Sequence, residues 1–503
     1  MAVVSLGGHE HGWLSDDLPG EADVVIVGSG MAGLAVAAEI GRRGGLHVLV
    51  LESGPDAGHE HTRLVFDEET VLRMWLEPYS DAFFWRPYHT SGPGYLGLSG
   101  LRRRVGGRSL YWGGVMLPIE GWALRGGEWP ESVVADLVRE WDGGASLYAR
   151  VSAEVAAWAA EASGARPAEN GITFGDYAFT PAPRAARPVS DGRWKVYTPL
   201  SRWKRSSDRA DRASVPIFPG CHVLGVSLRA ASVTGVQVLR GSDVVEIRAP
   251  RVVLAAGTIE NSRLALQALA GCGALHQPRL CGLVDKIAHG FTATFNRAEV
   301  PTVVADAARN GRLYYLAATE QLRSNHFLQL YLNEYGTIVL DTWMMGEQVS
   351  CEAGQVCCDP AREWPWRTRV IASLSPADLK LCTLQRAELA RLWDHISDAL
   401  GIGRSPLRFR DEYGSPDLRD RLLAPRSAHG RTAAQTYSFP LGSEQHEAGT
   451  TPLGTMLDLT HQFRQVAGLF AAGPSSFART GAANPSMTIL ALGMRLAAAL
   501  SAS

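Results

Sequence analysis

A chain of 503 residues is long enough for two or more domains, and 46% hydrophobic against 20% charged residues is an ordinary globular balance with ample material for a core. A formal net charge of −2 gives no electrostatic reason to expect nucleic acid or an anionic membrane as partner. Seven cysteines are an odd number, and their one cluster, Cys351, Cys357 and Cys358, lacks the histidines and paired spacing of a zinc site, so no metal is expected and the thiols read as reduced loop residues of a cytosolic protein.

The stretch Met1 to Leu6 is apolar but short, has no basic residue and gives way to His9-Glu10-His11, which does not fit a signal peptide. No uncharged apolar run reaches the roughly 18–20 residues that span a bilayer, so the expected location is the cytoplasm. Lysine occurs only at Lys195, Lys204, Lys286 and Lys380 against abundant arginine, a coding bias from which no mechanism follows.

Residues 1–21 read as a polar arm. The β-branched run Asp23 to Val27 predicts a buried parallel strand. It ends in Gly28-Ser29-Gly30-Met31-Ala32-Gly33, a helix follows from Leu34 to Arg43, and a second strand, His47 to Leu51, ends in Glu52. In this βαβ unit Gly28 makes the tight turn, Gly30 lets a pyrophosphate approach the backbone at the helix N-terminus, and Gly33 permits close helix–strand packing. Glu52 stands where an acid accepts from a ribose 2′-hydroxyl, which disfavours a 2′-phosphate and hence NADP. A lone Gly-rich turn is weak evidence, but this one follows a strand, opens a helix and is completed by an acid.

His61 to Leu76 has a helical pattern, followed by an aromatic, Gly/Pro-rich stretch from Tyr79 to Leu98. Next comes Arg102-Arg103-Arg104-Val105-Gly106-Gly107-Arg108-Ser109-Leu110-Tyr111-Trp112-Gly113-Gly114. A basic triplet is usually a solvated face, but two Gly pairs bracketing two aromatics free backbone N–H groups for a ligand. Helical runs are expected at Ser132–Leu147 and Ser152–Ser163, and a hairpin from Cys221–Val226 and Val233–Leu239 with Val244–Ile247 as its third strand. Arg251 to Gly257 is another buried strand ending in Gly, and Thr258 is a candidate N-cap for a helix through Leu269. Between 270 and 440 the segments Thr292–Arg297, Phe327–Asn333 and Thr337–Trp343 alternate as an antiparallel sheet does, and a helix is expected at Pro376–Leu400. The tail holds His446-Glu447-Ala448-Gly449-Thr450-Thr451, a strand at Leu469–Gly473, a loop through Asn484-Pro485 and an apolar helix from Met487 to Leu500.

Four of these segments, 23–54, Val105–Gly114, Val252–Leu266 and His446–Leu500, together resemble the glucose–methanol–choline (GMC) flavin oxidoreductases, and within them the pyranose-oxidase-like and C-glycoside-oxidase-like branch. The resemblance implies an α/β fold: a Rossmann-like FAD-binding domain of discontinuous segments (1–59, 100–118, 200–275 and 441–503) and an antiparallel-sheet-and-helix substrate domain (60–99, 119–199 and 276–440). It implies FAD, with the pyrophosphate at Gly28, Gly30, Met31, Ala32 and Gly33 and the adenosine ribose on Glu52 beside Ser53. The isoalloxazine would lie along Arg104, Gly106, Gly107, Ser109, Leu110, Tyr111, Trp112, Gly113 and Gly114. Adenine would lie near Val223, and further contacts would come from Ala256, Gly257, Asn261, Gly473, Pro474, Asn484, Pro485, Ser486 and Met487. Some relatives attach flavin through a His in the first of these loops; Tyr111 stands there in this chain, so the FAD is expected to be non-covalent.

The resemblance also makes His446 the catalytic base and Asn484 its partner. The chemistry is sound on its own terms. Alcohol oxidation removes a proton from O–H and a hydride from C–H; a neutral imidazole, with a reference pKa of about 6.5, takes the proton, and a carboxamide hydrogen-bonds the substrate oxygen without competing for it. Against this, a single His is usually a surface or core residue, and an Asn before Pro is often only a turn or helix cap. Glu444 and Glu447 read as structural or rim groups.

No second Gly-rich turn follows a strand, so oxygen is the simplest electron acceptor, with a quinone or protein as the other choice. The branch suggests a sugar-like hydroxyl. Glu320, Glu334 and Asp341 among Tyr331, Tyr335 and Trp343 would suit an amino sugar such as an aminoglycoside of antibiotic biosynthesis, although acids on a sheet are more often its solvated face. Two other functions use the same features: a non-redox lyase that keeps FAD and uses His446 as its base, and a flavin-binding assembly protein indifferent to His446.

Overall fold

The computed structural model describes residues 17–502 apart from 67, 92–98, 162–169, 190–193, 202, 204–214, 361–363, 404, 410–421 and 425. Most of the expected polar arm and the end of the 79–98 stretch therefore lie outside the described residues.

The β-branched run forms the strand Val24–Val27, with every residue buried. It is the middle of a five-stranded parallel sheet in which Ile217–Phe218, Val48–Leu51, Val24–Val27, Arg251–Leu254 and Leu469–Ala471 lie side by side in that order. Strands hundreds of residues apart in sequence thus complete one sheet, and their shared ends carry the Gly28 turn, Glu52, Ala255–Gly257 and Ala472–Gly473. The first helix, Met31–Arg43, lies against the helix Ser486–Ala502. A Cβ added at Gly493 would come within 2.9 Å of the Ala35 Cβ, so small residues set this approach.

The expected hairpin is a three-stranded antiparallel sheet of Cys221–Arg229, Ser232–Arg240 and Asp243–Arg248. The 270–440 region supplies most of a seven-stranded antiparallel sheet, in the order Gln435–Phe439, Lys286–Phe295, Ile338–Glu347, Ser324–Leu332, Arg312–Leu316, Tyr177–Pro181 and Ile172–Phe174. Period-two alternation divides its faces. Phe291, Phe295, Leu328, Leu330 and Leu340 pack with Leu389, Leu392, Trp393 and Ile396 of the helix Pro376–Ala399. Phe327, Asp341, Trp343, Met345 and Tyr437 face a cavity on the other side.

Several elements differ from expectation. The run 132–147 breaks: helix Glu131–Val138 is followed by a two-stranded turn through Asp142, at φ +52°, and a new helix starts at Leu147 under the Ser146 cap. The Gly143-Gly144 pair makes that turn accessible. His61–Leu76 is likewise two helices, Thr62–Val65 and Glu68–Leu76. Thr258 is the first helical residue rather than the N-cap, which is Gly257. Cys357 and Cys358 lie in the strand Gln355–Asp359, not in a loop, and no disulfide links any of the seven cysteines.

Candidate active site

The Gly28 turn is fixed by sterics. Gly28 has φ +104°, and a Cβ there would sit 2.7 Å from the Ala255 carbonyl oxygen. A Cβ on Gly33 would come within 1.9 Å of the Gly28 carbonyl oxygen, whereas one on Gly30 would meet nothing within 4 Å. Gly33 is therefore a packing glycine, and Gly30 opens on empty space at the N-terminus of the first helix, which has no side-chain cap. Uncapped N–H groups beside an open backbone are what an anionic group needs. Glu52 pins the turn: its Oε2 accepts from the Ser29 hydroxyl at 2.6 Å and the Ser29 N–H at 3.1 Å, and its Oε1 from the Gly54 N–H at 2.8 Å.

A cavity of about 500 Å³ runs from this turn to the tail loops. Gly28, Gly30, Met31, Ala32, Glu52 and Ser53 line its start, and Gly107, Ser109, Tyr111, Trp112 and Gly113 its middle. Val223, Ala256, Gly257, Gly473, Pro474, Pro485 and Ser486 also reach it. Both His446 and Asn484 line the same cavity. The buried Nδ1 of His446 and Oδ1 of Asn484 have no hydrogen-bond partner among the described residues. Buried polar atoms are normally paired, so two orphans lining one cavity mark a place where a bound group supplies the partner.

Seven of the expected cofactor residues do not line the cavity. Gly33 packs on the strand, as above. Arg104 turns away, donating to the Ala57 and Gly58 carbonyls at 2.6 and 2.7 Å. Gly106, Gly114, Leu110 and Met487 form the loop or core behind the wall. Asn261 is a brace: its Oδ1 accepts from Ala256 N–H at 2.8 Å, and its Nδ2 donates to the Leu254 and Ala472 carbonyls at 3.1 Å.

The His446 loop is held from below. The Asp285 carboxylate accepts from the His446 N–H at 2.9 Å and the Gly442 N–H at 2.5 Å. Glu447 takes Arg108 at 2.7 Å and the Ser99 hydroxyl at 2.6 Å, and the Glu447 carbonyl takes the Thr258 hydroxyl at 2.5 Å. Burial raises the Glu447 carboxyl, but the Arg108 charge and hydrogen bond outweigh it and hold the group below the usual range. Asp285 is pushed up to about 7 by burial and then by the Glu447 charge. The Asn484 loop is held by a second set. Lys286 donates to the Gly481 carbonyl at 2.5 Å, Glu347 accepts from the Gly481 N–H at 3.1 Å, and Glu120 from the Ala482 N–H at 3.0 Å. Burial first, then the Lys286 and Arg108 charges, lowers His446 to about 3, so its imidazole is neutral at physiological pH.

Residues 26–74 match a family model described as an NAD(P)-binding Rossmann-like domain. Among solved structures, the crystal structure of pyridoxine 4-oxidase from Mesorbium loti aligns with a TM-score of 0.58, covering 95% of this chain and 98% of that chain at 16% sequence identity. The likeness is one of fold. No curated protein matches the chain.

The residues that sequence reasoning missed are the supports: Arg108, Glu120, Asp285, Lys286 and Glu347. The one local signal was Asp285-Lys286, a charged pair at the start of a strand that carries no other Asp, Glu, Lys or Arg. The acids expected to meet an ammonium group also change. Glu320, Glu334 and Tyr335 are exposed and lie off the cavity. Asp341 lines it but is committed to an ion pair with Arg426 and to the Thr292 and Tyr437 hydroxyls at 2.7 and 2.8 Å. The cavity carboxyl without a hydrogen bond or ion pair among the described residues is Glu444, pushed up to about 8 by burial and the Asp285 charge. No group of residues suited to hold a metal ion occurs among the described residues, and no described helix is long and apolar enough to cross a membrane.

Proposed function

We propose that this chain is an FAD-dependent oxidoreductase of GMC type that oxidises a CH–OH group of a sugar-like, amine-bearing substrate, with oxygen as electron acceptor. One observation carries the reading: a single cavity joins the Gly28–Glu52 cradle to His446 and Asn484, each with a buried, unpartnered polar atom. The residues fit FAD: an uncapped helix start with open space at Gly30 for the pyrophosphate, an acid beside it for the ribose, and a long cavity beyond. When bound, the flavin would supply a hydride acceptor at N5.

In this reading the neutral His446 imidazole takes the hydroxyl proton, and Asn484 donates to the substrate oxygen and fixes which C–H is presented. An imidazole whose conjugate acid sits near 3 does not strip an alcohol in advance, so the O–H proton leaves as the C–H bond breaks. Burial pushes the Tyr111 phenol up to about 12, a poor nucleophile, which supports non-covalent FAD. Glu444 lines the cavity together with Trp343, Tyr437 and Phe439; an ammonium group bound beside it would draw its carboxyl back into the charged form and rest on the aromatic faces.

The test is an anaerobic screen of sugars, glycosides and aminoglycosides with the flavin-loaded protein, followed by flavin absorbance. Bleaching by a subset of these, and hydrogen peroxide on admitting air, is the expected result. Turnover with the flavin remaining oxidised would replace the oxidase with a lyase that uses His446 as a simple base. Purified protein that takes up no FAD would end the reading.

A further inference from the structure

In a parallel sheet of this kind the dinucleotide lies across the strand ends, with its ribose on the acid that closes the second strand and its base beyond that strand. Here the second strand is Val48–Leu51, and beyond it lies Ile217–Phe218, at the sheet edge opposite Leu469–Ala471. On that side the cavity is walled by Trp85, His222, Val223, Glu260 and Arg263. The Trp85 and His222 rings meet edge to face at 5.6 Å. Burial lowers His222 to about 4, so it stands there as a neutral ring.

Glu260 is 3% exposed. Its Oε2 takes two hydrogen bonds from Arg263, at 3.0 and 2.8 Å. Arg263 in turn donates to the Val223 and Leu224 carbonyls at 3.3 and 2.9 Å, which fixes the carboxylate against this wall. Oε1 of Glu260 is buried and has no partner among the described residues. A buried carboxylate oxygen without a donor is costly, and this one borders a slot with aromatic walls.

We propose that Glu260 selects the base of the bound dinucleotide, its Oε1 accepting a hydrogen bond from the exocyclic amine of adenine. The inference rests on the FAD reading above but concerns the end of the cavity remote from His446, so the two fail separately. The full-length protein is equilibrated with an equimolar mixture of FAD and its deaminated analogue, in which hypoxanthine replaces adenine, and the retained flavins are separated and quantified. The wild-type protein is expected to retain FAD over the analogue by about tenfold or more, the scale of one hydrogen bond to a charged group. In Glu260→Gln the amide can accept from Arg263 and donate to the hypoxanthine carbonyl, so the ratio falls to one or inverts. Equal retention by the wild-type protein, which needs no variant to fold, overturns the proposal, as does an unchanged ratio in the variant. Retention of neither flavin sinks the FAD reading itself.

Discussion

His446 and Asn484 each bring one unpaired buried atom to the cavity, and their loops are held by backbone N–H groups, those of His446 and Ala482, rather than by these side chains. Truncating either side chain therefore leaves its loop anchored. His446→Ala is expected to retain FAD and lose about 10²–10⁴-fold in the rate of substrate-driven flavin reduction, measured by anaerobic stopped flow. Asn484→Ala is expected to lose about tenfold, the scale of one hydrogen bond, with an unchanged flavin spectrum. Because His446 is neutral across the working range, deuterium at the reacting carbon and deuterated solvent should slow the same kinetic step. Separate steps would mean that the proton leaves first. The local context of both residues was legible in sequence. The identity of the uncommitted carboxyl was not, because Asp341 and Glu444 are distinguished by Arg426, Thr292 and Tyr437, partners of Asp341 that the alternation of a strand cannot announce.

At the scale of elements, the βαβ unit was readable because its determinants are local. One strand, one turn and one helix start lie within some twenty residues of each other, and the sterics of Gly28 and Gly33 act inside the unit. The glycines separate by role. Gly33→Ala would drive a methyl into the Gly28 carbonyl and is expected to yield little folded protein. A Cβ at Gly30 meets nothing within 4 Å, so Gly30→Val should fold with near wild-type circular dichroism but fill the cradle and fail to retain flavin, as an absorbance-to-protein ratio will show. Less of the loop from 104 to 114 was readable. Gly pairs and aromatics marked the segment, but which of its residues face the cavity depends on contacts with residues 57, 58 and 196 that no motif encodes.

Across the whole molecule, Lys286 is buried among carboxylates contributed by its neighbour Asp285 and by Glu120, Glu347 and Glu444, which lie far from it in sequence. No periodic pattern reveals such a cluster, which is why the supports were missed while the glycine turn, His446 and Asn484, which line the cavity, stood out in their local context. Lys286→Met would leave these acids uncompensated and should destabilise the fold by about 3–5 kcal/mol, readable in chemical denaturation. The same cluster sets a pH dependence. Asp285 and Glu444 titrate near 7 and 8 in the fold, above their ordinary values of about 4, so the stability they contribute is whole below about pH 4 and is lost progressively as pH rises to 7 and 8. Glu447, held below its usual range by Arg108, acts in the opposite sense and only at the acid end. Above about pH 6.5, where the buried histidines are neutral folded or unfolded, the melting temperature of the flavin-free protein should therefore fall until about pH 8, and Glu444→Gln should flatten that fall.

The parallel sheet takes its outermost strand from Leu469–Ala471, and the helix beyond it clasps the first helix. On a ribosome making about 5–20 residues per second, roughly 440 residues separate Gly28 from that strand, a delay of about 22–90 s. Throughout that interval the nascent chain displays a phosphate-ready turn with no far wall. On the proposed reading, flavin capture is then a late, post-synthetic event, and a ribosome-stalled chain lacking residues 440–502 should leave the translation mixture colourless.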